Sequence, residues 1–194
     1  MNLIDIALII QLFALINPLS SFPVLLSACK SRMNVRKISV SAVIIAFLIA
    51  IIIAVAGPYL FSLFRVSLDS FRIAGGIVLL LLGLDKIRPK EEKKQNIKQA
   101  EALTSIIATP LLTGPALISF ITIKAYEIGR LAIISNLLFA FIFVGIVFTT
   151  FGFTVTRINP KAIDISSRVL GLFLTAVAIE MIAKGITGLM ATAG

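Results

Sequence analysis

The 194-residue sequence contains no histidine and a single cysteine, Cys29. Without histidine, the chain cannot form a Ser-His or Cys-His catalytic pair or a histidine-ligated metal site. One cysteine also excludes a disulfide within the chain. Hydrolase and metalloenzyme functions lose their usual residues, so we predict a protein that is not an enzyme and needs neither a cofactor nor a metal.

Apolar residues dominate what is present. They make up 59% of the chain, and the mean hydropathy is +1.08, whereas soluble domains are about 45–50% apolar. Several stretches exceed roughly 18 residues with almost no charge, about the length that crosses a ~30 Å hydrocarbon core. We therefore predict an all-α integral membrane protein with about six transmembrane segments. These segments are Leu3–Cys29, Ile38–Phe64, Phe71–Ile87, Ala102–Ala125, Leu131–Val155 and Ile165–Leu189.

The net charge is +9, and its distribution predicts the topology. Of the 18 Lys and Arg residues, 13 lie in or beside the loops that follow segments one, three and five. Cytoplasmic loops of membrane proteins carry such an excess of positive charge. The pattern predicts a multi-pass protein of the cell (inner) membrane with both termini outside, and membrane lipid replaces nucleic acid as the expected partner.

The two halves of the chain resemble each other. At a constant offset of 92 residues, Pro18 falls on Pro110 and Pro23 on Pro115. Each half has three segments, an odd number, so the halves must have opposite orientations in the membrane, as in many secondary transporters. We predict two inverted three-helix repeats, residues 1–88 and 101–194, joined by a charged cytoplasmic linker, residues 89–100.

The paired prolines predict a break in segments one and four. Proline removes a helical hydrogen bond and clashes with the preceding turn, and exposed backbone must face protein or a polar cavity. A half-helix that begins near Pro23 or Pro115 would suit a carboxylate, whereas the preceding carbonyls, with Asn17 and Thr109, would suit an ammonium group or a cation. The pattern leaves open a simple proline kink without a ligand. It also does not decide between a kinked crossing and a re-entrant hairpin.

Charged residues inside or near the segments have two interpretations. Glu180 lies near the middle of segment six, where a carboxylate is a candidate for proton coupling; Lys184, four residues later, makes a structural ion pair the alternative. Arg72 and Arg168 occupy equivalent positions in the two halves. We expect them to pair with Asp69 and Asp164, respectively.

The paired segments Ile16-Asn17-Pro18 through Pro23 and Thr109-Pro110-Leu111-Leu112-Thr113-Gly114-Pro115 resemble the signature of the MarC family. These are prokaryotic inner-membrane proteins, some of which transport small neutral amino acids. The resemblance covers the whole chain and implies six substrate-binding residues. They are Asn17, Ser20, Ser21, Thr109, Thr113 and Gly114.

These observations predict a secondary transporter of small neutral amino acids of the glycine and alanine class, coupled to a proton or sodium gradient. No nucleotide-binding motif is present, so the energy would come from an ion gradient. A passive channel for a small neutral solute, or a membrane protein without a transport role, remains an alternative. The sequence does not give the direction of transport or the oligomeric state.

Overall fold

A computed structural model describes residues 4–18, 34–88, 114–154 and 160–193. The described part of the chain forms six α-helices, and one lies in each of the predicted apolar segments. They are α1 (Ile6–Ile16), α2 (Val35–Phe64), α3 (Leu68–Ile87), α4 (Pro115–Ile128), α5 (Arg130–Thr154) and α6 (Pro160–Ala193). The prediction of an all-helical protein is thereby confirmed.

Three of these helices contain apolar stretches long enough to cross a bilayer. Within the described residues, the stretches are Val35–Phe64, Arg130–Thr150 and Asp164–Thr192. Large apolar side chains on α2 and α6 are exposed at helical spacing, including Ile44, Leu48, Ile52, Leu172 and Phe173. A soluble monomer rarely exposes so much contiguous apolar surface, whereas hydrocarbon is the environment that these faces suit.

Helices α3 and α6 form the most extensive helix pair. They run antiparallel, because Gly188 near the end of α6 contacts Asp69 near the start of α3, and Gly171 contacts Lys86 near the end of α3. A Cβ atom built on Gly83 would lie 3.0 Å from the carbonyl oxygen of Gly171. Small residues let membrane helices approach this closely and pack their backbones against each other.

The two short helices pack against the long ones. Helix α4 contacts α2, α3 and α5, and helix α1 contacts α5, α6 and α4. Gly57 of α2 faces Thr122 of α4, and Gly75 of α3 faces Ser119, so α4 also approaches its neighbours through small residues. With 11 residues, α1 spans only about 17 Å, roughly half of a hydrocarbon core. Its far end therefore lies inside the protein.

The close α3–α6 contact makes a testable prediction about stability. In Gly76→Ala, the added Cβ would lie 3.0 Å from the carbonyl oxygen of Ala178 and 3.2 Å from the backbone nitrogen of Ile182, so the two helices must separate slightly. We expect a loss of about 1–3 kcal/mol, seen as a lower melting temperature in detergent.

Gly145→Ala is the matched control for this substitution. Its Cβ would lie 3.8 Å from a methyl group of Val43, an ordinary contact, and alanine favours a helix by about 1 kcal/mol over glycine. The melting temperature should stay the same or rise. Equal behaviour of the two variants would mean that the α3–α6 glycines are not packing determinants.

Candidate functional site

The end of helix α1 is the most unusual polar position in the described structure. Asn17 caps the helix with φ 44°, a left-handed conformation that glycine and asparagine tolerate best. The residue is only 2% exposed, and neither its Oδ1 nor its Nδ2 atom has a hydrogen-bond partner among the described residues. Leaving a buried amide unpaired costs about 1–3 kcal/mol. The described part of the fold therefore leaves the amide NH2 group and the amide oxygen of Asn17 unused.

Helix α4 begins at the second predicted break. Gly114, which has no side chain to cap the helix, is the N-cap residue. Pro115 occupies the first turn, as the proline pattern predicts. The next two residues, Ala116 and Leu117, are buried, and helix geometry leaves their N–H groups without intrahelical acceptors. A Cβ built on Gly114 would meet no atom within 4 Å in the described structure. No described side chain therefore covers this helix start.

The remaining predicted site residues cannot be placed. Only the backbone position of Pro18 is described, in a 3₁₀ turn directly after Asn17. The others lie outside the described residues: Ser20, Ser21, Pro23, Thr109, Pro110 and Thr113. Asn17 and the Gly114–Pro115 start are thus the two parts of the predicted site with a described geometry, and they belong to helices that contact each other.

A separate polar cavity of about 50 Å³ lies between α1, α3, α4 and α6. Its volume suits a few water molecules. Phe120, Ile123, Val177 and Met181 supply its apolar walls. Six polar residues complete the lining: Gln11, Arg72, Lys124, Glu127, Glu180 and Lys184.

The charges around this cavity are paired. The Nζ atom of Lys184 lies 2.7 Å from a carboxylate oxygen of Glu180, and more than half of each side chain is exposed. The structural ion pair weighed for these residues is therefore present. Arg72 pairs with Asp69, as predicted, and also with Glu127.

The equivalent arginine of the second half, Arg168, has one ion-pair partner among the described residues, whereas Arg72 has two. Arg168 pairs with Asp164 one turn earlier on the same helix, at 2.8 Å, as predicted. The two pairs differ in spacing, since Asp69 lies three residues before Arg72 and Asp164 four residues before Arg168. An exposed pair of this kind contributes little to stability.

Two residues that make polar contacts between helices, Asn136 and Glu127, were not predicted from the sequence. Asn136 is 1% exposed on α5; its Oδ1 accepts a hydrogen bond from the backbone N–H of Asp5 at 2.8 Å. Asp5 in turn caps α1 through the N–H groups of Ala7 and Leu8. A lone asparagine in an apolar segment was a usable signal for Asn136. The local spacing marks only the pair of Glu127 with Lys124, because Arg72 is 55 positions away.

These features define a multi-pass α-helical integral membrane protein. The chain belongs to the MarC family of integral membrane proteins, whose sequence pattern matches residues 3–190. This confirms the resemblance found in the paired proline segments. No solved structure matches the chain.

Individual relatives agree with this assignment. A UPF0056 membrane protein of Methanocaldococcus jannaschii is 34% identical, with 92% of this chain and 93% of the relative covered. The UPF0056 membrane protein YhcE of Escherichia coli is 32% identical, with 93% and 90% covered. One from Pyrococcus abyssi is 26% identical, with 93% of each covered. These names give a family and a membrane location, and they name no transported solute.

The geometry of Asn17 predicts that removing its side chain does not lower the stability of the protein. Asn17→Gly keeps the left-handed backbone, which glycine adopts freely, and removes the unpaired amide. We expect a melting temperature equal to or above that of the parent chain, because an unsatisfied buried group has been deleted.

Asn136→Ala is the contrasting variant. It removes bonds to Asp5 and to the Ala132 carbonyl and should cost about 1–3 kcal/mol. A fall of several degrees in Asn17→Gly, comparable to that in Asn136→Ala, would show instead that Asn17 stabilises the fold.

Proposed function

We propose that the chain is a secondary transporter of small neutral amino acids of the glycine and alanine class. It is driven by a proton or sodium gradient and works by alternating access of two inverted three-helix repeats. The observation that carries the proposal is Asn17. This residue ends an 11-residue helix inside the protein, and both polar atoms of its buried side chain lack a hydrogen-bond partner among the described residues.

The chemistry of this helix end suits a zwitterion. The Oδ1 atom of Asn17 accepts hydrogen bonds and its Nδ2 atom donates them, so the one side chain can meet an ammonium group and a carboxylate. The last carbonyls of α1 add partial negative charge, and the N–H groups at the start of α4 add partial positive charge. A ligand that carries both charges and has a small side chain matches this combination.

The packing of the long helices supports the inverted repeat. The α3–α6 contact joins the corresponding segments three and six, and the α2–α5 contact joins segments two and five, as expected of a two-fold axis in the membrane plane. At the offset of 92 residues, the counterparts of α1 and α4 are residues 98–108 and 23–36, which lie largely outside the described residues. In the proposed topology both short helices lie in the outer half of the membrane, α1 ending and α4 beginning near its middle.

The coupling ion is the part of the proposal with the most direct candidate residue. Glu180 lies on α6 in a stretch that can span the membrane and lines the polar cavity together with Gln11 of α1. A carboxylate that meets water within a membrane segment can bind and release a proton. We propose that Glu180 couples proton movement to movement of α1, the helix that carries Asn17.

Uptake into proteoliposomes tests the transport proposal. Labelled glycine and alanine should accumulate above equilibrium when a pH or sodium gradient is imposed, and only amino acids with small side chains should compete. Asn17→Gly should reduce the uptake at least tenfold, since the donor and acceptor are lost while the backbone is kept.

Asn34→Gly is the matched control for Asn17→Gly, because Asn34 is an exposed helix cap on α2. Its uptake should stay near the parental rate. Uptake of neither amino acid by folded protein would refute the substrate class, and normal uptake by Asn17→Gly would remove Asn17 from the site.

Glu180→Gln tests the coupling proposal. We expect this variant to exchange labelled alanine across the membrane but to lose accumulation driven by a pH gradient, because the amide cannot carry the proton. Asp164→Asn is the matched control: Asp164 lies on the same helix and also pairs with a basic residue four positions later. Accumulation that still follows the pH gradient in Glu180→Gln would rule out Glu180 as the carrier.

A further inference from the structure

One ion pair in the described structure joins two helices that are far apart in sequence. Arg72 of α3 donates two hydrogen bonds to the same oxygen of Glu127 on α4, from Nε at 3.1 Å and from Nη2 at 2.6 Å. The other oxygen of Glu127 accepts from Lys124 at 2.8 Å. Four other ion pairs each lie within one helix: Arg72–Asp69, Lys124–Glu127, Arg168–Asp164 and Lys184–Glu180.

The Arg72 end of this bridge is held rigidly. Arg72 also donates to Asp69, whose carboxylate lies against Gly188 of α6, and the Cβ atom of Arg72 itself lies close to Gly185. The guanidinium is therefore fixed to the tightly packed α3–α6 pair. A guanidinium group that donates several hydrogen bonds at once has a fixed orientation, so its contact with Glu127 is geometrically specific.

The Glu127 end belongs to the short helix that begins at the proposed substrate site. Helix α4 starts at Gly114–Pro115 and ends one residue after Glu127. Its contacts with α2 and α3 closer to the start are between small side chains and glycine, at Gly57–Thr122 and Gly75–Ser119. A specific polar bond to α3 is therefore formed at the end of α4 that is distant from the break.

The bridge also borders the polar cavity. Arg72, Lys124 and Glu127 line it on one side, and Gln11 and Glu180 lie in the same lining. The basic residues of this region belong to the side predicted to face outside. The Arg72 and Glu127 side chains are only 19% and 21% exposed, whereas Lys184 and Glu180 of α6 are more than half exposed. The pair therefore forms the less exposed side of the cavity, between α3 and α4.

We propose that the Arg72–Glu127 ion pair is the outer gate of the transport pathway. The gate is closed when the ion pair joins α4 to helices α3 and α6, and it is open when the two side chains separate. This inference rests on the proposed transport function. Arg168, the counterpart of Arg72, pairs within the described residues only with Asp164 of its own helix.

Thiol labelling tests the gate without any substrate. The chain has one cysteine, Cys29, so Cys29→Ser gives a background without thiols, and Val177→Cys then places a single reporter in the cavity wall. A membrane-impermeant maleimide is added outside intact cells. Arg72→Gln and Glu127→Gln should each raise the labelling rate about tenfold, the scale of a typical coupling between two states.

The double variant and a control sharpen the result. Because both substitutions break one pair, Arg72→Gln with Glu127→Gln should label no faster than the faster single variant. Arg168→Gln, which breaks an ion pair within one helix, should label at the parental rate. If one single variant does not reach the membrane, the other still reports on the same pair.

Three results would overturn the gate: unchanged labelling in the single variants, independent effects that multiply in the double variant, or equal acceleration by Arg168→Gln. Labelling only from the cytoplasmic side would overturn its outer location. Accelerated labelling in a chain that takes up neither glycine nor alanine would keep the gate and reject the amino acid substrates. Uptake with unchanged labelling would keep the transporter and reject the gate.

Discussion

The need to satisfy backbone hydrogen bonds in hydrocarbon governs this molecule. A chain in lipid must form helices, because each unpaired N–H or C=O group there costs several kcal/mol. The long helices α5 and α6 meet this requirement, and α2 does so except at its internal Pro58, which has no N–H group. Helix α1 ends after 11 residues at a buried asparagine, so its last carbonyls face protein or polar ligand. Interrupting a helix at this depth creates polar groups that the apolar segments otherwise lack.

The fold divides the helices into a tightly packed part and a part with more freedom. Glycines bring α3 and α6 into backbone contact along their length, and such packing resists small displacements. Helices α1 and α4 are short, and their described contacts are spread over several neighbours. The functional features follow this division. The unpaired Asn17 and the start of α4 lie on the short helices, whereas Arg72 is anchored on the packed pair.

The helical architecture was predictable because a helix that crosses the bilayer must be apolar over about 20 consecutive residues. Segments of that length are easily recognised as membrane helices. The local ion pairs Arg72–Asp69 and Arg168–Asp164 were predictable from helical spacing. The Asn17 cap followed from its proline, although its burial without a partner did not. The Arg72–Glu127 bridge and the cavity that Gln11 shares with Glu180 depend on which helix faces meet. That arrangement is set by packing among four helices, and no sequence period encodes it.

The free-energy cost of burying the Asn17 amide without a described partner is also what makes this residue suitable for the proposed transport site. A site that is fully satisfied when empty would gain little from binding a zwitterion, since each new hydrogen bond would replace an existing one. An amide that is buried and unpaired gains the whole bond when a ligand arrives, so modest chemistry suffices for binding. The same arrangement limits affinity, because the Asn17 side chain supplies only one amide group. In the proposed cycle, such a site binds a small solute firmly enough to select it and weakly enough to release it on the other side.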